Sequence, residues 1–305
     1  MNPGQRFVVC GNVVHDVVAR RVEQPLAYGA STLIEHIGQH LGGNASNTSF
    51  ALARLNCAVQ TLSLIGDDAS GEFIVSRLRS AGADTAGIHK VPAPTSMALS
   101  LVNAKAERAL LYLMGASGED FPEPFEIPSG GTHFHLAAVF RMRYLRRHAP
   151  AILRMARECG MTTSADTQWD TEGEWMTVLR PSLPHLDLLF VNEDEARLLT
   201  GHAEPSLAAA ALRDAGAPRT VVKLGADGCL VDGEHVPGFV VDAVDATGAG
   251  DCFVAGFLAA LSRGLNFQLA ARVANAVGAL SVQQTGAVEG LLDWKQTQSW
   301  AARHR

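Results

Sequence analysis

The stretch GFVVDAVDATGAGDCFVAGFLAAL, residues 238–261, changes its hydrophobic period in the middle. Gly238 to Val244 is apolar and β-branched and reads as a strand. Phe253, Val254, Phe257, Leu258 and Leu261 recur at helical spacing until Gly264 ends the run. Asp245 to Asp251 is then a strand-to-helix turn. Gly248, Ala249 and Gly250 carry little or no side chain, so backbone N–H groups at the helix start can approach a phosphoryl group closely. Asp251 falls in the first helical turn, where a carboxylate can take the proton of an attacking hydroxyl. The competing structural explanation, an acidic residue set against a helix dipole, would suffice for the segment alone.

Outward from this segment, apolar β-branched runs alternate with helical ones. Phe7 to Cys10, Val59 to Gly66, His133 to Val139, Met161 to Asp166, Asp187 to Asn192 and Thr220 to Gly225 read as strands; Asn44 to Asn56, Gly71 to Ala81, Tyr144 to Cys159 and Glu193 to Thr200 read as helices. That order indicates β-α units and a doubly wound α/β sheet. Val13 to Gln39 and Thr95 to Met114 break the rhythm, the second as two strands around a polar Asn103 to Arg108 turn. They predict a small β lid over the strand ends, where open α/β sheets bind ligands. The expected division is 1–12, 40–93 and 116–305 for the α/β domain, and 13–39 and 94–115 for the lid.

The 305 residues are 47% hydrophobic and 18% charged, with a formal net charge of -6, so no global positive field favours nucleic acid or anionic lipid. The strongly apolar run Cys252 to Leu261 is too short for a bilayer span, and the first residues lack a secretory core, so a cytoplasmic protein is expected. Five scattered cysteines without a Cys-x-x-Cys pair read as reduced packing residues. Absence of Gly-x-x-x-x-Gly-Lys-Ser/Thr excludes a P-loop kinase, and absence of Gly-x-Gly-x-x-Gly after the first strand weighs against a dehydrogenase.

DATGAGDCFVAGFL resembles the second signature of the ribokinase-like, or PfkB, carbohydrate kinases. LGGNASN (Leu41 to Asn47) resembles the family's Gly-Gly signature, NEDE (Asn192 to Glu195) its Asn-x-x-Glu motif, and KLGADG (Lys223 to Gly228) its nucleotide-binding strand and turn. The resemblance covers essentially the whole chain. Ala246 departs mildly, standing where Thr, Ser or Pro is more usual. The implied fold is a ribokinase-like, mostly parallel doubly wound sheet flanked by helices with a small β lid. The implied activity is transfer of the γ-phosphate of ATP to a sugar hydroxyl, with Asp251 as general base and Gly248, Ala249 and Gly250 as anion hole.

The resemblance also assigns the supporting residues. Asp16, at the expected end of the first strand, and Gly42, Gly43 and Asn47 are implied to hold substrate, with Asp166 and Gln168 facing the same site. Lys223, Gly225, Gly228, Thr247 and Asn275 fall at nucleotide-contacting positions. Asn192 and Glu195 are implied to order the water around Mg²⁺ on the ATP phosphates, although a helix capping box explains the same spacing. Asp245, Thr247, Ser281, Gln284 and Gly286 fall where some members hold a monovalent cation such as K⁺.

Other residues narrow the substrate. Val14 stands where ribokinase itself carries Asn, which weighs against ribose. Asp170 stands where fructokinase-like and ketodeoxygluconate-kinase-like members carry Arg, which weighs against a carboxylate or phosphate bound there. The pairs His36 and His40, and His133 and His135, lack a third metal ligand. The basic run Arg141 to His148 reads as a solvated helix face. A nucleoside kinase of the same fold, or a silent sugar or nucleotide sensor, stays as an alternative. An exposed lid edge leaves a homodimer open.

Overall fold

The computed structural model describes residues 5–22, 28–29, 31–103 and 108–304. Its strands are β1 Arg6–Cys10, β2 Val14–Arg20, β3 His36–Gly42, β4 Ala58–Gly66, β5 Asp84–Val91, β6 Met97–Val102, β7 Arg108–Leu113, β8 His133–Leu136, β9 Thr162–Asp166, β10 Leu188–Asn192, β11 Thr220–Lys223, β12 Cys229–Val231 and β13 Glu234–Val236. The α-helices are α1 Asn44–Arg54, α2 Ala69–Ala81, α3 Arg143–Glu158, α4 Met176–Leu179, α5 Glu193–Thr200, α6 Pro205–Asp214, α7 Ala249–Leu261, α8 Phe267–Ser281 and α9 Trp294–Arg303.

Nine strands form one sheet in the order β13-β12-β11-β10-β9-β8-β1-β4-β5. All neighbours from β11 to β5 are parallel, and only the β11–β12 and β12–β13 pairs are antiparallel. Side chains alternate between the two faces of a strand, so a sheet with helices on both faces must be apolar at every position. β1 obeys this: Phe7 and Val9 enter one core layer with α1 and α7, while Val8 and Cys10 enter the other with α3, α5 and α6. β10 divides likewise, with Phe190 on the α7 side and Leu189 and Val191 opposite.

Helix α7 is buried from Asp251 to Ala260, as an apolar helix must be when apolar on all sides. It packs between α1 and α8. Phe257 meets the Phe190 ring at 5.4 Å in an edge-on contact, which fixes the helix against the sheet. Its N-terminus thereby joins the C-terminal ends of the strands. A second, four-stranded sheet in the order β3-β2-β6-β7 forms the lid. Asp16 on β2 stands opposite His40 on β3 and Ala98 on β6.

Several expectations change. Gly238 to Val244 makes no strand: Pro237 has no N–H, Phe239 turns inward against Trp300, and Val244 and Asp245 donate to Val282 O instead of to a ladder. The strand expected to run to Val139 stops at Leu136. Asp16 lies not at the end of the first strand but on lid strand β2, and β3 runs on to Gly42. In the basic run Arg143 and Arg147 are exposed, as expected, whereas the Arg146 side chain is 9% exposed and bound to Asp170 at 2.7 Å. The lid turn at 104–107 lies outside the described residues.

Candidate active site

Asp251 occupies the first turn of α7 and is buried. Both carboxylate oxygens accept hydrogen bonds from α1. Asn44 Nδ2 donates to Oδ1 at 2.8 Å, and Asn47 Nδ2 donates to Oδ2 at 2.8 Å. Asn44 and Asn47 are three apart, so they project from the same face of the helix. Burial raises the Asp251 carboxyl to about 6 against the pull of Asn47, Lys223 and Asn44. Gln168 Nε2 donates to Asn44 Oδ1. Asn47 Oδ1 and Gln168 Oε1 are buried acceptors without a partner among the described residues.

Gly248 caps α7 in the left-handed region at φ 70°, and a Cβ there would sit 2.4 Å from Ala287 Cβ and 2.8 Å from Asn47 Nδ2. Of the three N–H groups of the expected anion hole, Ala249 N–H is bonded to Ala246 O at 3.3 Å within the turn. Gly248 and Gly250 N–H have no such partner among the described residues. A Cβ on Gly250 would sit 3.2 Å from Lys223 Nζ, so the ammonium lies beside the helix start and adds to its attraction for anions.

Asp166, Asn192 and Lys223 end three adjacent strands, β9, β10 and β11. Lys223 Nζ donates to both Asp166 oxygens, at 2.7 and 2.8 Å. Burial pushes each partner toward its neutral form, but this two-pronged contact, with Glu195 nearby, holds the proton on Lys223. Asn192 and Glu195 do form the capping box: Glu195 N–H donates to Asn192 Oδ1 at 2.8 Å, and Asn192 N–H to Glu195 Oε2 at 2.9 Å. The Thr167 hydroxyl also donates to Glu195 Oε2, at 2.8 Å.

A second cluster adjoins the lid. A Cβ on Gly42 would fall 2.2 to 2.4 Å from the Asp16 carboxylate, so that carboxylate rests directly on the Gly42 backbone. Burial raises Asp16 to about 7, with Asp245 adding and Arg108 opposing. Asp245 is also desolvated, yet donation from Thr247, from Gly286 N–H and from Arg108 outweighs this and holds it at about 2. Arg108, on lid strand β7, binds both Asp245 and Thr247.

Of the positions expected around a monovalent cation, Asp245, Thr247 and Gly286 converge, whereas the Ser281 hydroxyl donates back to Gly278 O and Gln284 is exposed. With Arg108 on Asp245, a cationic side chain already answers that carboxylate, and the arrangement fits a further cation poorly. For a divalent ion, Glu195 and Asn192 are oxygen donors of the right type. Among the described residues no three His, Cys, Asp or Glu side chains converge as a metal cage.

Toward the sheet edge, Asn275 donates to Val236 O and Pro237 O at 3.1 and 3.0 Å, and a Cβ on Gly228 would strike Val236 O at 2.2 Å. Gly225 faces open space. His133 and His135 are buried against Ser164, with His133 also meeting Thr162. Two larger clefts, of about 670 and 910 Å³, lie at Gly87 with Phe121–Ser129 and at Arg263 with Trp294, away from the Asp251 network. Sequence reasoning overlooked Asn44, whose spacing from Asn47 was the available signal, and Arg108, which had none.

Comparison with known proteins decides what this site belongs to. The profile described as pfkB family carbohydrate kinase matches residues 5–294. The chain belongs to the pfkB family of carbohydrate kinases. It is 33% identical over 293 residues to ATP-dependent ribose-1-phosphate kinase of Halopiger xanaduensis, covering 92% of this chain and 93% of that protein. It is 30% identical over 282 residues to aminoimidazole riboside kinase of Salmonella typhimurium, covering 86% and 88%. Arabidopsis thaliana ribokinase complexed with ribose and ATP superposes with a TM-score of 0.85 at 23% identity, over 98% of this chain and 99% of that one. This pfkB kinase therefore has the ribokinase fold, with its lid, and is an ATP-dependent kinase of the type that acts on small sugars or nucleosides.

Proposed function

We propose that this pfkB kinase transfers the γ-phosphoryl group of ATP to a hydroxyl of an uncharged sugar, with Asp251 as general base. The carrying observation is the pair of acceptors beside Asp251, Asn47 Oδ1 and Gln168 Oε1, which have no partner among the described residues and suit a donor-rich ligand. A polyol is such a ligand. Its hydroxyl oxygen attacks the γ-phosphorus, the bond from that phosphorus to the bridging oxygen of ADP breaks, and the hydroxyl proton passes to Asp251. The N–H groups of Gly248 and Gly250 and the Lys223 ammonium face the charge that develops on the phosphoryl oxygens. Mg²⁺ supplies charge neutralisation on the ATP phosphates, with Glu195 and Asn192 as the residues suited to its water shell.

Asp16 and Asn47 hold the sugar, and the four-stranded lid closes on it and excludes water that would otherwise be phosphorylated. Asp170, bound to Arg146, offers nothing to an anionic substituent at that point. A cytosolic enzyme with ready access to ATP suits this reading. The aminoimidazole riboside kinase relative favours one alternative, a nucleoside acceptor under the same lid and with the same Asp251 chemistry.

The test is Asp251→Asn. ATP affinity survives while the chemical rate falls at least about 10²-fold, as for loss of a general base. Unchanged turnover removes Asp251 from the role. A panel of pentoses, hexoses and nucleosides with MgATP, read by ADP release, separates the sugar from the nucleoside.

A further inference from the structure

We infer that Asn44 and Gln168 form a positioning relay, in which Gln168 fixes the Asn44 amide and Asn44 fixes the orientation and ionisation of Asp251. The inference rests on Asp251 as the base. The direction of every hydrogen bond in the network follows from that one carboxylate. An ionised carboxylate only accepts, so Asn44 and Asn47 must each turn their NH₂ toward it. That turns Asn44 Oδ1 away, and Gln168 must present its own NH₂ there. Gln168 Oε1 and Asn47 Oδ1 are then left buried without partners among the described residues.

Without Gln168, Asn44 is free to flip and set its carbonyl oxygen against the Asp251 carboxylate. The loop after β9 that carries Gln168 is itself fixed, because Asp170 binds Arg146 and accepts from the backbone N–H groups of Glu172 and Trp175 at 3.0 and 2.7 Å. The relay thus links α3, the 166–175 loop, α1 and the start of α7. The other titratable groups facing Asp251 are Lys223 from β11, Glu195 from α5, Asp166 from β9 and Asp16 from β2, with the buried Cys252 beside it on α7. None of them changes in the variants below, so a shift reports the amides.

The experiment is a ¹³C titration of the aspartate carboxyls in the full ligand-free chain, with the Asp251 signal identified by its loss in Asp251→Asn. Asn44→Ala moves the Asp251 midpoint upward by about one pH unit, as expected when a donor to the charged form is lost. Gln168→Leu moves it upward by less, and adding Gln168→Leu to Asn44→Ala moves it no further, since Gln168 acts through Asn44. The acid limb of kcat/KM for MgATP with the best acceptor of the panel moves in parallel. A fixed midpoint in Asn44→Ala, or additive shifts in the double variant, overturns the relay. A moving midpoint combined with full turnover in Asp251→Asn overturns the base assignment and leaves the relay standing, so the two failures are distinguishable.

Discussion

Gly42 carries no side chain because the Asp16 carboxylate fills the space where one would stand. In Gly42→Ala the carboxylate must move. With one charge-assisted contact to a hydroxyl worth about 1.5–3 kcal/mol, the acceptor KM is expected to rise at least about 10-fold while the KM for ATP stays within about twofold. Steady-state kinetics with each substrate varied in turn checks this, and an unchanged acceptor KM would remove Asp16 from the substrate site. Asp16 also carries a pH prediction. Burial places its folded value at about 7, above the ordinary 3.8, so its neutral form suits the fold. Its contribution to stability is complete below about pH 4 and is lost as pH rises through 7. Asp16→Asn is accordingly expected to raise Tm at pH 8 and to leave it nearly unchanged at pH 4, in calorimetry at both values. As the proposed base, Asp251 is held at about 6 and acts ionised, so kcat/KM is expected to fall as pH drops below that value.

Helix α3 and the loop after β9 show how an element depends on a single buried pair. Arg146 is 9% exposed and Asp170 0%, with Glu172 and Glu174 outside them on the same guanidinium. Breaking such a pair from one side leaves an uncompensated charge, at about 3–5 kcal/mol. Arg146→Met is expected to lower stability by that order in chemical denaturation, and Arg146→Met with Asp170→Leu to recover most of it; a single variant as stable as the parent would refute the pair's importance. Within the basic run Arg146 departs from the expected solvated face because its partner lies 24 residues downstream, beyond any helical spacing. The segment 238–244 departs from its β propensity for a related reason: Phe239 packs against Trp300 and Val244 N–H donates to Val282 O, contacts that no local period records.

Over the whole molecule, the lid is the part whose surface is least accounted for. Ile37 on β3 and Leu111 and Leu113 on β7 share its outer face by register and are 59%, 63% and 48% exposed. An apolar sheet face of this kind suits a second copy of the chain. Sedimentation equilibrium at micromolar concentration is expected to give a dimer, and Leu111→Glu with Leu113→Glu a monomer; a monomeric parent chain would overturn this. The sequence by itself determined the kinase class and the doubly wound sheet. The first rests on four ordered motifs that resemble the PfkB family, DATGAGD among them, and the second on the alternation of buried strands with helices. Only the tertiary structure decided what surrounds Asp251. Asn44 and Gln168 are 124 residues apart, Arg108 and Asp245 are 137 apart, and such pairings arise where strand ends, loop and lid converge, from packing that no local period records.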